Sequence, residues 1–506
     1  MKFINLQKPK KNNIMFKQNY FYKYLLISLL IFSNLATNAQ KLVSIDSLTS
    51  YTLSEIDELL ETNEIVPALI DIKYAVTLYK LIYKTTNYDG SETMASGLFV
   101  VPQNHEKQFP MLSYQHGTIL KKDDVPSMQN YESLIGIVYA TEGYATTMPD
   151  YIGLGDSPGF HPYHHSQTEA MSVIDLLRAA KDAAADSINV RTSDLLFLSG
   201  YSHGGHSTMA AHMYIEQNFS DEFTISASTP MAGAYDLSTT QKESLLQDVE
   251  YGSPGYLPYM AYAFNMVYDL WTDPSEYFVP PYNVSLDTLI TGEYSFSTIN
   301  EYLPAIPKDM LTADAIDSLT NNYNFKLNWA LRQNDVYDWT PQAKMRMFYC
   351  SADEIVSPQN TEIAYNKFIE NGAQNVSKYD AVPTFGHREC ALPAILASKY
   401  WMNQIRDELT GIYHPEESQH FADIKIYPNP IDENSVLQFN KKGVLHYKLD
   451  IYKITGQIVF SQNKIYAGQD FRLNQLNLHK GAYILRITAA SEAKQSPEIK
   501  KVACFF

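Results

Sequence analysis

Leu195-Leu196-Phe197-Leu198-Ser199-Gly200-Tyr201-Ser202-His203-Gly204, followed by Thr208-Met209-Ala210-Ala211-His212-Met213-Tyr214-Ile215-Glu216, reads as a strand, a sharp turn and a helix. A serine hydroxyl is a weak nucleophile and must be presented bare, with its oxygen held beside a base. Gly200 and Gly204 remove the Cβ atoms that would collide where the strand folds back on the helix, so Ser202 is free to take a strained backbone. The helix that follows points its dipole and its free N–H groups at the turn. The N–H of His203 is therefore a candidate donor to a developing oxyanion.

Outward from this turn, apolar strands alternate with helical runs between residues 74 and 408, the pattern of an α/β sheet covered on both faces. Val76 to Tyr83 and Ala95 to Val101 read as an opening antiparallel pair. Pro110 to Tyr114, Ala145 to Pro149, Leu195 to Ser199, Thr224 to Ser228, Met345 to Cys350 and Val376 to Tyr379 follow as strands. Glu169 to Ala185, Pro358 to Asn371 and Cys390 to Leu409 have helical periodicity, the first with Ile174, Leu177, Ala180 and Ala184 on one stripe. From about 240 to 340 the rhythm breaks into a stretch rich in Tyr, Trp and Pro, read as a cap inserted over the sheet. Its aromatics suit either a lid over an acyl or aryl group or a plain core.

The remaining chemistry is found where strands end. Tyr114-Gln115-His116-Gly117-Thr118 closes a strand, and Gly117 lets the backbone approach a substrate, which makes the Thr118 N–H the second candidate oxyanion donor; a plain turn with a structural histidine is the alternative. A serine needs a base, and the base needs an acid to fix its tautomer. Asp353 lies on the turn after the strand Arg346 to Cys350, with Glu354 the weaker neighbour because it points to the opposite side. His387 follows the next strand on a loop before the final helix. His116, His203 and His206 lie near the turn at Ser202 but on oxyanion or helix positions.

Residues 74 to 408 thus resemble an α/β-hydrolase: a mostly parallel sheet flanked by helices with an inserted cap. The order Ser202, Asp353, His387 is the order of that family's triad. Met148-Pro149-Asp150-Tyr151-Ile152-Gly153-Leu154-Gly155-Asp156-Ser157, with Asp175 and Arg178-Ala179-Ala180, resembles secretory lipases and related bacterial esterases. The resemblance implies a serine carboxylic-ester hydrolase acting on a small-molecule, lipid or aryl ester, with Ser202 as nucleophile, Asp353 as acid, His387 as base, and His203 and Thr118 as oxyanion donors. No cofactor or metal is expected. A serine peptidase of prolyl-oligopeptidase type is the alternative on the same fold, although residues 41 to 73 leave no room for a propeller. A non-catalytic adhesion protein is a further alternative, and such proteins usually lose a triad member.

The two ends have a different character. Lys8, Lys10, Lys11, Lys17 and Lys23 precede an apolar run from Tyr24 to Phe32, and Thr37-Asn38-Ala39 offers small residues for cleavage, so residues 1–39 read as a signal peptide, with Met15 an alternative start. After a linker at 413–422, residues 423–506 turn to short alternating strands, a small all-β sandwich. Tyr427-Pro428-Asn429-Pro430, Gly456 after Lys453-Ile454-Thr455, Leu478 and Gly481-Ala482-Tyr483-Ile484-Leu485-Arg486 resemble the C-terminal sorting domain of type IX secretion substrates. That resemblance implies recognition by the type IX machinery, passage across the outer membrane, and a secreted or surface-attached product. An ordinary carbohydrate-binding or adhesive sandwich is the alternative. The hydrolase-like part is then 40–412, with no transmembrane segment expected in the mature chain.

The formal charge is −17, with 39 Lys and Arg against 56 Asp and Glu. The acid is concentrated between the two basic ends, a surface that repels phosphate backbones and makes nucleic acid a poor partner. Cys350, Cys390 and Cys504 are too few for a disulfide scaffold; the first two flank the acid and base segments and are either bonded or buried as free thiols. His161, His164 and His165 form a His-x-x-His-His cluster that lacks a carboxylate or thiol in the pattern, so it is read as a polar loop at a pocket mouth.

Overall fold

The computed structural model describes residues 41–411, apart from 64 and 66–69, and most of 424–505. The expected signal peptide and linker lie outside the described residues, as do the tail landmarks Pro428, Asn429, Pro430, Ile454, Thr455, Gly456, Leu478 and Gly481.

The large sheet is built from β1 (Leu42–Tyr51), β2 (Val76–Thr86), β3 (Glu92–Pro102), β4 (Gln108–Gln115), β5 (Ala145–Pro149), β6 (Arg191–Tyr201), β7 (Ile225–Met231), β8 (Lys344–Tyr349) and β9 (Val376–Asp380), in the order β1-β2-β3-β5-β4-β6-β7-β8-β9. Pairing is antiparallel from β1 to β5 and parallel from β5 to β9. Parallel strands need crossovers, and these put helices on both faces. On one face lie α2 (Ser133–Thr141) and α6 (His387–Thr410), on the other α3 (Ser166–Asp186), α4 (His203–Asn218) and α5 (Gln359–Glu370). Alternation along β6 serves both: Phe197 packs with Ile137, Ala394 and Met402, while Leu198 packs with Val173, Leu177 and Ala211. Each of the larger of these fully buried side chains, the alanines apart, contributes roughly 1.5–3 kcal/mol by leaving water.

Between β7 and β8 the chain runs through helices at Tyr256–Tyr268, Tyr282–Leu289, Ala313–Asn321 and Lys326–Gln333 with short turns between them. Their apolar cluster, including Phe264, Trp271, Phe278 and Leu286, also takes in Tyr163, Ile355 and Val356 from the loops below. The aromatics of this insertion are therefore largely core, and the same core reaches the loops at the carboxyl edge of the sheet.

Three elements were not foreseen. β1 and α1 (Leu53–Thr62) precede the expected opening pair, and α2 fills the crossover from β4 to β5. A fourth difference concerns His387, expected on a loop: the final helix starts at His387 itself, three residues before Cys390. Its first N–H is met by a side chain from another loop, Glu354 Oε2 at 3.0 Å, while Glu389 in its first turn accepts the Gly386 N–H at 3.3 Å.

Cys350 and Cys390 are bonded to each other. The bond closes the loop that contains both Asp353 and His387. Replacing both cysteines with alanine is expected to cost roughly 2–4 kcal/mol of stability, read as a lower midpoint in urea or heat unfolding; an unchanged midpoint would show that the cross-link adds nothing to the fold.

In the C-terminal region β10 (Ile424–Tyr427), β11 (Val436–Phe439) and β14 (Asp470–Arg472) form one sheet. β12 (Val444–Lys453), β13 (Ile458–Ile465), β15 (Ala482–Ser491) and β16 (Glu498–Phe505) form another, ordered β13-β12-β15-β16. Leu437, Phe439, Leu449, Ile451, Leu485 and Ile487 make its core. Among the described residues no helix is long and apolar enough to cross a membrane.

Candidate active site

In an open parallel sheet the loops after the strands converge at one edge. Here β4 leads to Gly117, β6 to Ser202, β8 to Asp353 and β9 to His387. Ser202 has φ +61° and ψ −122°, a conformation costly for any residue with a side chain. The turn survives because its neighbours have none: a Cβ on Gly200 would stand 2.3 Å from the carbonyl oxygen of Gly204, and one on Gly204 would stand 1.9 Å from that of Gln115. The Ser202 N–H donates to the Met231 carbonyl (2.9 Å), which fastens the turn to the end of β7.

Ser202, Asp353 and His387 meet although they are far apart in the chain. His387 Nδ1 lies 2.6 Å from Asp353 Oδ2 and His387 Nε2 lies 2.8 Å from Ser202 Oγ. A carboxylate only accepts, so Nδ1 carries the proton and Nε2 is left to accept from the serine hydroxyl. The other oxygen of Asp353 accepts the N–H groups of Ile355 (3.0 Å) and Val356 (2.8 Å), which fixes the carboxylate. His387 is held by the Glu354 contact, by Tyr201, whose hydroxyl donates to the His387 carbonyl at 2.6 Å, and by the Cys350–Cys390 bond. Glu354 anchors the same residue's backbone through its Oε2. All three side chains are buried, Ser202 being 8% exposed.

His203 is the first residue of α4, directly after Ser202, and its side chain turns inward to Glu169. Thr118 lies beyond Gly117 in the loop after β4, and its hydroxyl pairs with the Tyr163 hydroxyl at 2.8 Å. The Gly117 N–H is taken by Glu132 Oε1 at 3.0 Å. Burial raises the Glu132 carboxyl to about 7, against the Gly117 N–H, which lowers it. Burial likewise lowers His116 to about 4 and His161 to about 3, so both are neutral at pH 7.

A carboxyl raised on folding binds its proton more tightly in the native state, so its contribution to stability is complete below the unfolded value and is lost as pH rises through the folded one. The thermal midpoint of wild type relative to Glu132→Gln is expected to fall between pH 5 and 8; a difference independent of pH would sink this assignment.

The His-x-x-His-His segment borders the cleft at Ser202 through His164, but it is buried and does not lack a carboxylate. His161, His164 and His165 are buried, and the carboxylate missing from the sequence pattern comes from Glu169, in the first turn of α3. His165 turns aside to Thr168 and Tyr268. The signal for Glu169 was present: it falls on the buried stripe of α3 with Val173, Leu176 and Ala180, where an acid needs partners.

Space at the site is unequal. The cleft at Ser202, under Tyr256 and Met260 of the cap, measures ≈ 20 Å³. A second cavity of ≈ 310 Å³ is bounded by Gly117, Tyr201 and Arg388, with an apolar wall that includes Leu134, Leu392 and Leu396.

Residues 425–501 match the family described as the secretion system C-terminal sorting domain. Solved structures align with the larger part. A Legionella pneumophila protein assigned as a hydrolase is 29% identical with TM-score 0.67, covering 72% of this chain and 98% of its own. The rice cell wall degrading esterase LipA from Xanthomonas oryzae is 26% identical with TM-score 0.64, covering 73% and 98%. Candida antarctica lipase A in its closed state, at 17% identity and TM-score 0.57, covers 74% and 84% and shares the fold. The chain has an α/β-hydrolase fold with a secretion sorting tail. A comparison with curated protein sequences gives no match. The two neighbours above 25% identity, one assigned as a hydrolase and one an esterase, support a hydrolase, and the tail implies export to the cell surface or the medium.

Proposed function

We propose that this protein is an exported serine hydrolase that cleaves carboxylic esters through an acyl-enzyme. The observation that supports this most strongly is the continuous relay from Ser202 through His387 to Asp353 at 2.8 and 2.6 Å. In this reading Ser202 Oγ attacks the ester carbonyl while His387 Nε2 takes the hydroxyl proton. The imidazolium returns that proton to the leaving alcohol, and the same cycle run with water releases the acid. Asp353 holds the tautomer and stabilises the imidazolium. The N–H groups of His203 and Thr118 receive the oxyanion, each worth on the order of 3 kcal/mol. The chemistry uses no cofactor.

The apolar cavity beside Tyr201 and Arg388, the chain neighbours of Ser202 and His387, supports an ester with an apolar acyl or aryl group. The domain plan that goes with this reading is a signal peptide at 1–39, the hydrolase at 40–412 with its cap at about 240–340, a linker at 413–422 and the sorting tail at 423–506. The test is a panel of p-nitrophenyl esters and peptide anilides given to the purified protein. Ester turnover exceeding anilide turnover is expected; the reverse would make it a peptidase, and turnover of neither would leave the relay without this role.

A further inference from the structure

Behind the turn at Ser202, four histidines converge on one buried carboxylate. His161 and His164 come from the loop before α3, Glu169 from α3, and His203 and His206 from α4. The sets His161–Glu169–His203 and His164–Glu169–His206 each bring their donor atoms within 4.8 Å of one another, and all five residues are buried.

Hydrogen bonds leave this cluster incomplete. His161 Nδ1 lies 2.8 Å from the Ile152 carbonyl oxygen, which only accepts, so that nitrogen bears the proton and Nε2 is a bare lone pair without a partner. His206 Nε2 is committed in the same way to the Asn334 carbonyl at 3.0 Å. A neutral His206 then turns its Nδ1 lone pair toward Glu169 Oε2, 2.8 Å away, and two acceptors face each other unless a cation lies between them. His164 Nδ1 and His203 Nδ1 are buried without partners as well. One proton shared by His206 and Glu169 relieves a single contact and leaves three buried ring nitrogens bare, which natural cores avoid.

Imidazoles with one nitrogen held by a backbone carbonyl and the other free are arranged as metal ligands are. The carboxylate is steadied in turn, since Glu169 Oε2 also accepts the Ser207 hydroxyl at 2.7 Å. We propose that Glu169 seats a divalent transition-metal ion of the zinc class, ligated by imidazoles from the 161–164 loop and from α4. Neutral nitrogen donors with one carboxylate are the set such an ion prefers. The ion takes the place of the proton shared by His206 and Glu169, which passes to solvent; the His203 ring proton moves from Nε2 to the unpartnered Nδ1, so both rings stay neutral and nothing is oxidised or reduced. The His203 ring swings outward on binding, because 2.6 Å from Glu169 Oε1 is closer than two ligands of one ion stand. His387 and Asp353 belong to other loops, so the ion ties the 161–164 loop, α3 and the turn at Ser202 together and stands outside the relay.

The full chain, stripped with a chelator and then titrated with zinc or cobalt(II), tests this. About one equivalent of zinc per chain, a visible cobalt(II) absorption band, and a thermal midpoint higher by about 5 °C with zinc than with chelator are expected. Glu169→Gln, and His161→Ala combined with His164→Ala, are each expected to weaken zinc binding by at least about tenfold. Wild type that retains no zinc, shows no cobalt band and does not shift its midpoint would overturn the proposal whatever the variants do. So would a folded Glu169→Gln, judged by circular dichroism, that binds zinc as wild type does.

Discussion

Replacing Ser202 with alanine is expected to lower ester turnover by about 10⁵–10⁶-fold, the largest effect of any single substitution here. The oxygen that would attack the substrate disappears, while the groups proposed to receive the oxyanion are backbone and remain. A remnant of about 10³–10⁴-fold over water is therefore expected to persist. The change removes one buried oxygen and keeps the Cβ that the +61° backbone already tolerates, so the thermal midpoint should hardly move. Steady-state turnover of p-nitrophenyl esters, with the absence of a burst of nitrophenol, reads the result. Activity within tenfold of wild type in a folded Ser202→Ala would remove the acyl-enzyme mechanism.

Asp353→Asn is expected to cost about 10⁴-fold in kcat through a single misplaced proton. Two backbone N–H groups, of Ile355 and Val356, converge on Asp353 Oδ1. In the variant those donors claim the amide oxygen, so the amide NH₂ is what remains to face His387 Nδ1. That nitrogen must then accept, the ring proton moves to Nε2, and Nε2 can no longer take a proton from Ser202. KM should stay close to wild type, because Asp353 lies behind the imidazole. A kcat reduced by less than tenfold would mean that a different group orients His387.

The local part of the site could be read directly from residues. Gly200, Ser202 and Gly204 fall within one strand-to-helix turn, where sequence neighbours are also spatial neighbours. Asp353 and His387 could be found because each follows a late strand, and a parallel sheet brings such loops to one edge. Glu132 and Glu354 could not, since nothing in their own segments says what they will meet, and for Glu169 the stripe tells of burial but not of its partners; each acts on a backbone group or ring delivered by a different element. The start of α6 was hidden for the same reason: the N–H of His387 is met by Glu354, a loop away, and Gly386 at the cap has no side chain to announce it. β1 escaped because Leu42–Tyr51 is a half-exposed edge strand whose Ser, Asp and Thr blur the alternation of period two. The histidine cluster around Glu169 is not legible in the 161–165 segment alone, because its carboxylate and two of its imidazoles arrive from two helices.

The covalent link between Cys350 and Cys390 makes the order of events during export matter. In a cytoplasm that keeps thiols reduced the cross-link cannot persist, and the carboxylate and imidazole would be joined only by the packing around them. Once the chain reaches an oxidising compartment the loop closes. A chain whose cross-link closes only outside the cytoplasm receives its last covalent constraint after synthesis and transport, so the segment from the acid to the base is shaped in two stages.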